Sequence, residues 1–428
     1  MSRNLDSLSI AALLVSVHYG LGFLLGTGEK ALTLDAAGSL YAVSTSLGLV
    51  AIITLVKFYW TEIEPIWTLL GRRYGKAVKI LIGIASWAWM IGVVASQILG
   101  GAFILKLLEL PLLPSAIILS SLIIVLSLVP LGQVSRIFQI FLIISSLALL
   151  YSLWAVKGGL EEYLRSPLEF VPALSCVPPA QLVGIPLTTI LLTILGMDFQ
   201  QFIIQAKDIR SAYNGCLLGA LILMLLAFVP SAAVSAAKDA AILPASIEGK
   251  QAIAYIISWA GGGTEQPVGV FLLLSLLVTA LGSGAGVLRV MNTTLLDIAE
   301  LPTNWQQNAL AAVINGLLGL IVALRGGALV DLIVSFYAIY VAAVLLPFIA
   351  YLLDKDNKYN FLDRSVWLSL SLGIISAGIM TVITRVDSQY IIPGSAELTI
   401  LLVGIGFSGV GFLAGKLLEK KPLYSKNI

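Results

Sequence analysis

Charge is scarce in this chain. Lys, Arg, Asp and Glu make up 11% of its 428 residues, where a soluble domain carries about 25%. With 59% of residues hydrophobic, the composition excludes an ordinary water-soluble globular enzyme. The net charge is only +2, and no basic block with interleaved aromatics is present, so nothing points to nucleic acid. Histidine is nearly absent. The single one, His18, excludes any metal cluster built on several imidazoles. Two cysteines, Cys176 and Cys216, cannot make a disulfide framework. No H-E-x-x-H, G-x-S-x-G or P-loop pattern occurs.

What the chain has is long apolar runs. A membrane-spanning helix needs about 20 apolar residues. That ruler predicts twelve, near 7–27, 37–57, 79–107, 114–132, 137–156, 180–206, 214–237, 267–297, 308–325, 328–353, 366–386 and 397–417. The runs are unbroken rather than alternating, so they are helices and not barrel strands. The first lacks a basic leader and outlasts a signal-peptide core, so it reads as a retained helix. The fold expected is an all-α integral membrane protein.

Lys and Arg in the connections set the orientation. Counting the N-terminus, the even-numbered connections and the C-terminus gives sixteen, against eight in the odd-numbered connections. "GRRYGKAVK" in the second connection contributes most. The bias puts both termini in the cytoplasm of a multi-pass cell-membrane protein.

Two spans carry signs of interruption. "HYGLGFLLGTG" in the first holds Gly20, Gly22, Gly26 and Gly28, and each glycine weakens a helix by up to about 1 kcal/mol against alanine. The sixth holds Pro186, then Gly196 ahead of Asp198, Gln200, Gln201 and Gln205. Interrupted helices at matching positions of two halves are the best sequence pointer to a transporter's binding site. Five helices is an odd number, so the second half enters the membrane from the other side. The organisation expected is a first half at 1–157, an external loop at 158–179, a second half at 180–353, and two further helices with a cytoplasmic tail at 354–428. The loop at 158–179 is expected to form a short surface helix or lid, or a plain linker, and a lid-like helix is expected near 252–259.

Four stretches resemble the sodium:solute symporter family, whose members have a LeuT-type core in the APC superfamily. "LGRRYGKAVKILIGIASWAWMIGVVASQILGGAFIL" is similar to that family's entry into its third core helix. "DFQQFIIQAKDIRSAYNGCLLGALILMLLAFVPSAA" resembles its sixth-to-seventh passage, "LVTALGSGAGVLRVMNTTLLDIAE" its eighth helix and "IVSFYAIYVAAVLLPFIAYLL" its tenth. The resemblance implies a five-plus-five inverted repeat, alternating access, a small organic substrate and Na+ as coupling ion. It implies a sodium site of carbonyls from the broken first helix, here at Ser16 and Tyr19, with two hydroxyls on the eighth. The family register lands those hydroxyls on Leu281 and Gly282, which have no side-chain oxygen. Thr279 and Ser283 flank them, four apart on one helical face.

The candidate substrate-binding residues are His18, Tyr19, Gly20, Gly22, Trp87, Asp198, Phe199 and Gln200, with Trp89 as a further aromatic. Asp198 and Arg289 sit at similar depth and are expected to form an ion pair, because a lone central Arg costs about 2.5–3.5 kcal/mol. A proton carried by His18 is the rival to sodium. A membrane sensor on the same fold is the rival to transport, and a channel is disfavoured for want of a filter-like ring. A polar neutral or zwitterionic solute is the expected cargo, its carboxylate held by half-helix N-termini. Glu29 and Lys30 are expected to face water, and Glu62 and Glu64 to lie on a solvated face. No cofactor and no nucleic-acid partner are expected.

Overall fold

The structure, a computed structural model, describes residues 3–129, 131–355, 360–386 and 391–419. Lys358, Lys420, Lys421 and Lys426 of the charge count lie outside them. The helices are α1 (Ser7–His18), α2 (Leu21–Leu34), α3 (Leu40–Ala51), α4 (Val56–Glu62), α5 (Ile66–Tyr74), α6 (Lys76–Lys106), α7 (Leu112–Leu128), α8 (Leu131–Ala155), α9 (Gly159–Ala173), α10 (Pro179–Leu195), α11 (Met197–Ile204), α12 (Ile209–Ala227), α13 (Val229–Asp239), α14 (Ala252–Ala260), α15 (Pro267–Ile298), α16 (Trp305–Leu324), α17 (Leu329–Lys355), α18 (Asp363–Val386) and α19 (Ala396–Glu419).

Local chemistry sets several boundaries. Asp6 accepts from Ser9 N at 2.8 Å, Asp208 from Ser211 N at 2.7 Å and Asn304 from Gln307 N at 2.9 Å, each occupying an orphan donor at a helix start. Pro179 and Pro267 open α10 and α15, where a missing N–H costs nothing. Gly75, at φ +96°, turns the chain between α5 and α6.

Eight helical stretches are long and apolar enough to cross a membrane, or up to ten if each of two bent pairs is one span. The expected twelve is therefore not reached by length and apolarity. Two causes are plain. The break in the first span leaves α1 with 12 residues, and α7 has only 17. Helices α2 to α4 run together through short 3-10 turns into one 42-residue stretch, Leu21–Glu62.

Packing shows the inverted repeat. Helix α1 packs on α12, and α10 packs on α3; exchanging the two halves turns one pair into the other. The same exchange relates α6 on α17 to α15 on α8, and α16 on α6 to α7 on α15. Helices α18 and α19 pack on each other and on α17. Apolar side chains also face outward. Leu310, Leu317, Ile321 and Leu324 on α16, and Leu217, Leu221 and Leu225 on α12, are exposed at helical spacing. Such stripes suit a hydrocarbon solvent.

Ion pairs mark the two ends of the bundle. At one end Lys30 meets Asp331 at 2.8 Å and Lys250 meets Glu29 at 3.2 Å, with Lys238–Asp35 and Lys106–Glu248 nearby. At the other, Arg73 meets Asp354, Arg72 meets Glu64, Lys355 meets Glu62, and Lys76 and Lys79 meet Glu300 and Asp297. Glu29 and Lys30 thus do not face water as expected; their side chains are 15% and 17% exposed because each ties α2 to a neighbour. Glu62 is likewise mostly covered. The loop expected at 158–179 holds α9, and α14 stands where a lid-like helix is expected. Helix α14 is largely buried against α15, α8 and α2.

Candidate functional site

The first break is shorter than its glycines suggest. Only Tyr19 and Gly20 leave the helix, at φ −79°, ψ 56° and φ −101°, ψ −174°. Gly20 N–H turns back to the His18 carbonyl at 2.8 Å, an inverse γ-turn over Tyr19. In a continuous helix that N–H would serve the Ser16 carbonyl, and Leu21 N–H the Val17 carbonyl. Leu21 N–H instead donates to Gln97 Oε1 at 3.4 Å. Gln97 is buried on α6, and its amide would stand 3.0 Å from a Cβ at Gly20. A side chain there would push into the group that holds the break open.

Gly22, Gly26 and Gly28 are helical, contrary to the expected unwinding. Each sits where another element comes close. A Cβ at Gly22 would lie 2.2 Å from Ile333 Cδ1, one at Gly26 2.9 Å from Val330, and one at Gly28 2.4 Å from Ile253. Three of the four glycines therefore serve packing. Gly22 belongs to that group rather than to a binding surface.

The second break falls at Gly196, whose ψ of 131° ends α10, and α11 leaves at a bend of 40°. Pro186 does not interrupt α10. The carbonyls that the break frees are satisfied from three directions. Tyr59 donates to Ile194 O at 2.6 Å, Tyr340 to Leu195 O at 2.9 Å, and Gln200 Nε2 to Leu195 O at 2.9 Å. Buried carbonyls without partners are rare for energetic reasons, so these three side chains make the interruption tolerable.

The two breaks meet. The His18 ring, last in α1, stacks on Phe199 in the first turn of α11, with centroids 4.4 Å apart and planes 10° apart. His18 Nε2, Asp198 Oδ1 and Gln200 Oε1 are buried atoms with no hydrogen-bond partner among the described residues. Asp198 folds back over Gly196, its Oδ1 2.6 Å from where a Cβ would stand. Tyr41, Tyr337 and Tyr340 all lie within electrostatic reach of Asp198. The hydroxyls of Tyr41 and Tyr337 are 3.5 Å apart, and Trp89 meets Tyr337 edge-on at 5.6 Å. Of the sequence candidates, His18, Tyr19, Gly20, Asp198, Phe199 and Gln200 are brought to the two breaks.

Trp87 is not. Its indole N–H donates to Asn315 Oδ1 at 2.8 Å, and Asn315 in turn donates to Asn292 at 2.8 Å, a buried polar chain joining α6, α16 and α15. The ion pair is absent as well. Arg289 donates to the carbonyls of Leu126 (3.2 Å), Ser127 (3.1 Å) and Val129. It caps the C-terminal end of α7, a favourable place for a cation. Equal depth along two helices says nothing about rotation about their axes, and Arg289 turns to the end of α7.

At the candidate cation site, Ser283 Oγ lies 3.3 Å from where a Cβ on Gly20 would stand. Thr279 Oγ1 is 3.0 Å from Ser145 Oγ and bonds the Ser275 carbonyl at 3.1 Å. The Ser16 hydroxyl is turned back to Leu13 O, at 2.8 Å. Among the described residues no three His, Cys, Asp or Glu side chains group as a metal site. Sequence reasoning missed Gln97, Tyr59 and Tyr340. Gln97 had a signal, a lone amide amid "GVVASQILGG"; the tyrosines had none.

No family model matches the chain, and no curated protein matches its sequence. Solved structures match its shape. A substrate-bound, outward-open Na+-coupled sialic acid symporter aligns with a TM-score of 0.60 at 14% identity, over 95% of this chain and 96% of that one. The inward-facing form of Mhp1 aligns at 0.57 with 12% identity, over 99% and 93%. Mhp1, a nucleobase-cation-symport-1 family transporter, also aligns when closed on bromovinylhydantoin, at 0.54 with 12% identity, over 99% and 95%. The chain has the LeuT-type fold. In that fold α1–α2 and α10–α11 are the two broken helices, as their geometry had already indicated.

Proposed function

We propose that this protein is a secondary transporter of a small organic solute, working by alternating access about the junction of its two helix breaks. The observation that carries the reading is the meeting of those breaks. His18 stacks on Phe199 there, and its Nε2, Asp198 Oδ1 and Gln200 Oε1 are buried with no hydrogen-bond partner among the described residues. Irregular backbone at membrane depth survives only against protein or a polar cavity, and here it gathers unmet hydrogen-bonding capacity at one place.

Both ends of the route are tied. Lys30–Asp331 and Glu29–Lys250 bind α2 to its neighbours at one end. At the other, Asn4 and Leu5 donate to Gln205 O, Lys207 donates to Leu5 O, and Trp60 donates to Ala206 O. Opening either side means breaking one set while the other holds. Both termini lie on the cytoplasmic side of a cell membrane, by the basic bias of their connections.

Sodium is the coupling ion favoured by the residues at the first break. The Ser16 carbonyl, relieved of Gly20 N–H, and the Ser283 hydroxyl beside Gly20 are hard oxygen donors at it, with the Thr279 hydroxyl one helical turn before Ser283 on α15. The second reading is proton coupling through His18, favoured by its unpartnered Nε2.

Counterflow of labelled solutes into proteoliposomes, with Na+ or K+ outside and with or without a pH gradient, tests both. Sodium-dependent exchange that falls in Thr279→Ala and Ser283→Ala is expected. Exchange that ignores Na+, follows the pH gradient and is lost in His18→Gln makes the second reading correct. Binding without exchange for any solute would leave a sensor.

A further inference from the structure

We infer that the solute is a small organic cation, an amine, and that Asp198 is its counter-ion. This deepens the proposed transport function and rests on it for the word solute, though the binding chemistry stands by itself.

The charge balance of the junction carries the inference. Among the described residues Asp198 is the only acid at the two breaks, and no charged side chain of theirs acts on it. Arg289, the cation at matching depth, is consumed by three carbonyls of the α7 end. Beyond the backbone N–H groups of Asp198 and Phe199 at the start of α11, an acid within electrostatic reach of Tyr41, Tyr337 and Tyr340, with Oδ1 unpartnered, is costly unless something complements it.

The other open atoms point the same way. Gln200 has already spent its N–H₂ on Leu195 O, so what it offers is the acceptor Oε1. Nε2 of His18 is an acceptor in one neutral tautomer. A ligand that satisfies acceptors must bring donors, and an ammonium group brings up to three with a charge. The Tyr41 and Tyr337 rings within reach of Asp198 add aromatic surface of the kind that attracts cations.

A carboxylate solute is opposed on the same ground. The half-helix N-termini that would receive one are partly occupied. Leu21 N–H is held by Gln97 Oε1, and the carboxylate of Asp198 lies over Gly196 at the start of α11. An anion there would meet Asp198 with no intervening cation. This reverses the expectation of a zwitterion anchored by its acid.

The test separates cation recognition from transport. Purified full-length protein is titrated by thermal shift with triads sharing one skeleton, beginning with phenethylamine, 2-phenylethanol and phenylacetate, and continuing through aliphatic and quaternary amines. At least one amine is expected to bind tenfold or more tightly than its alcohol, with no detectable binding of the carboxylate. Asp198→Asn should erase that tenfold preference, and Asp198→Glu should retain part of it. An alcohol or carboxylate that binds as well as its amine, an amine preference that survives in Asp198→Asn, or no amine binding across the panel overturns the inference. Counterflow of the same compounds is scored separately. Exchange of neutral or acidic solutes alone keeps the transport reading and removes this one; amine binding with no exchange does the reverse. Arg289→Gln, which lies outside the junction, controls for general loss of folding.

Discussion

Replacing Tyr59 with Phe removes one oxygen and keeps the ring in place. In the folded protein that oxygen is 2.6 Å from the Ile194 carbonyl. What would remain on that carbonyl is Gln200 Nε2 at 3.5 Å, the far limit of a hydrogen bond. A buried acceptor left unmet costs about 1–3 kcal/mol, which is a factor of about 5 to 150 in the folding equilibrium. Tyr340→Phe is the internal control. It removes a 2.9 Å bond from Leu195 O but leaves a second 2.9 Å bond there from Gln200. Its loss should be that of one net hydrogen bond, about 0.5–1.5 kcal/mol. Adding Gln200→Leu to Tyr340→Phe then strips Leu195 O entirely and should cost more than the two single losses summed. Unfolding of detergent-solubilised protein, followed by tryptophan fluorescence, reads all four variants. Equal losses for the two tyrosines, or Tyr59→Phe within about 0.3 kcal/mol of the parent and so inside ordinary additivity error, would refute the view that side chains hold the second break open.

Gly22→Ala should cost about 1–3 kcal/mol through overpacking against Ile333, and Ile333→Val, which deletes the methyl 2.2 Å from the new Cβ, should recover most of it; a melting series on the double-mutant cycle checks this. Charge reversal at Asp198 and Arg289 should show a coupling energy under about 0.5 kcal/mol, as for sites without shared partners; stronger coupling would restore the ion pair. The Ser211 N–H holds the Asp208 carboxyl below its ordinary value of 3.8. A carboxyl lowered on folding adds stability above its unfolded value, about 3.9, and loses it as pH falls through the folded one. Hydrogen exchange at the start of α12 should therefore speed up below that pH, and Asp208→Asn should keep the cap while abolishing the pH dependence.

The membrane class, the helical architecture and the rough position of both breaks were legible in the residues. Gly196 followed by Asp198, Phe199 and Gln200 was legible because apolar runs have little room for polar atoms. The extent of the first break was misread, because a glycine that frees the backbone and a glycine that admits Ile333 or Ile253 are the same letter. Trp87 and Trp89 differ by two positions, about 200° around a helix, and only the packing of α6 shows that one serves Asn315 and the other Tyr337.

Composition and periodicity by themselves decided that this chain lives in a bilayer as helices, since those depend on solvation of whole segments and hardly on who their neighbours are. Which groups are satisfied was decided by tertiary structure alone. Tyr59, Gln97 and Tyr340 are distant in sequence from the backbone atoms they serve, and Arg289 found carbonyls on α7 instead of the acid on α11. Hydrogen bonds and charges act over a few ångströms, so the identity of a partner depends on helix rotation and contact, which no run of letters specifies. Asp198 Oδ1 was left without a hydrogen-bond partner among the described residues by that same geometry.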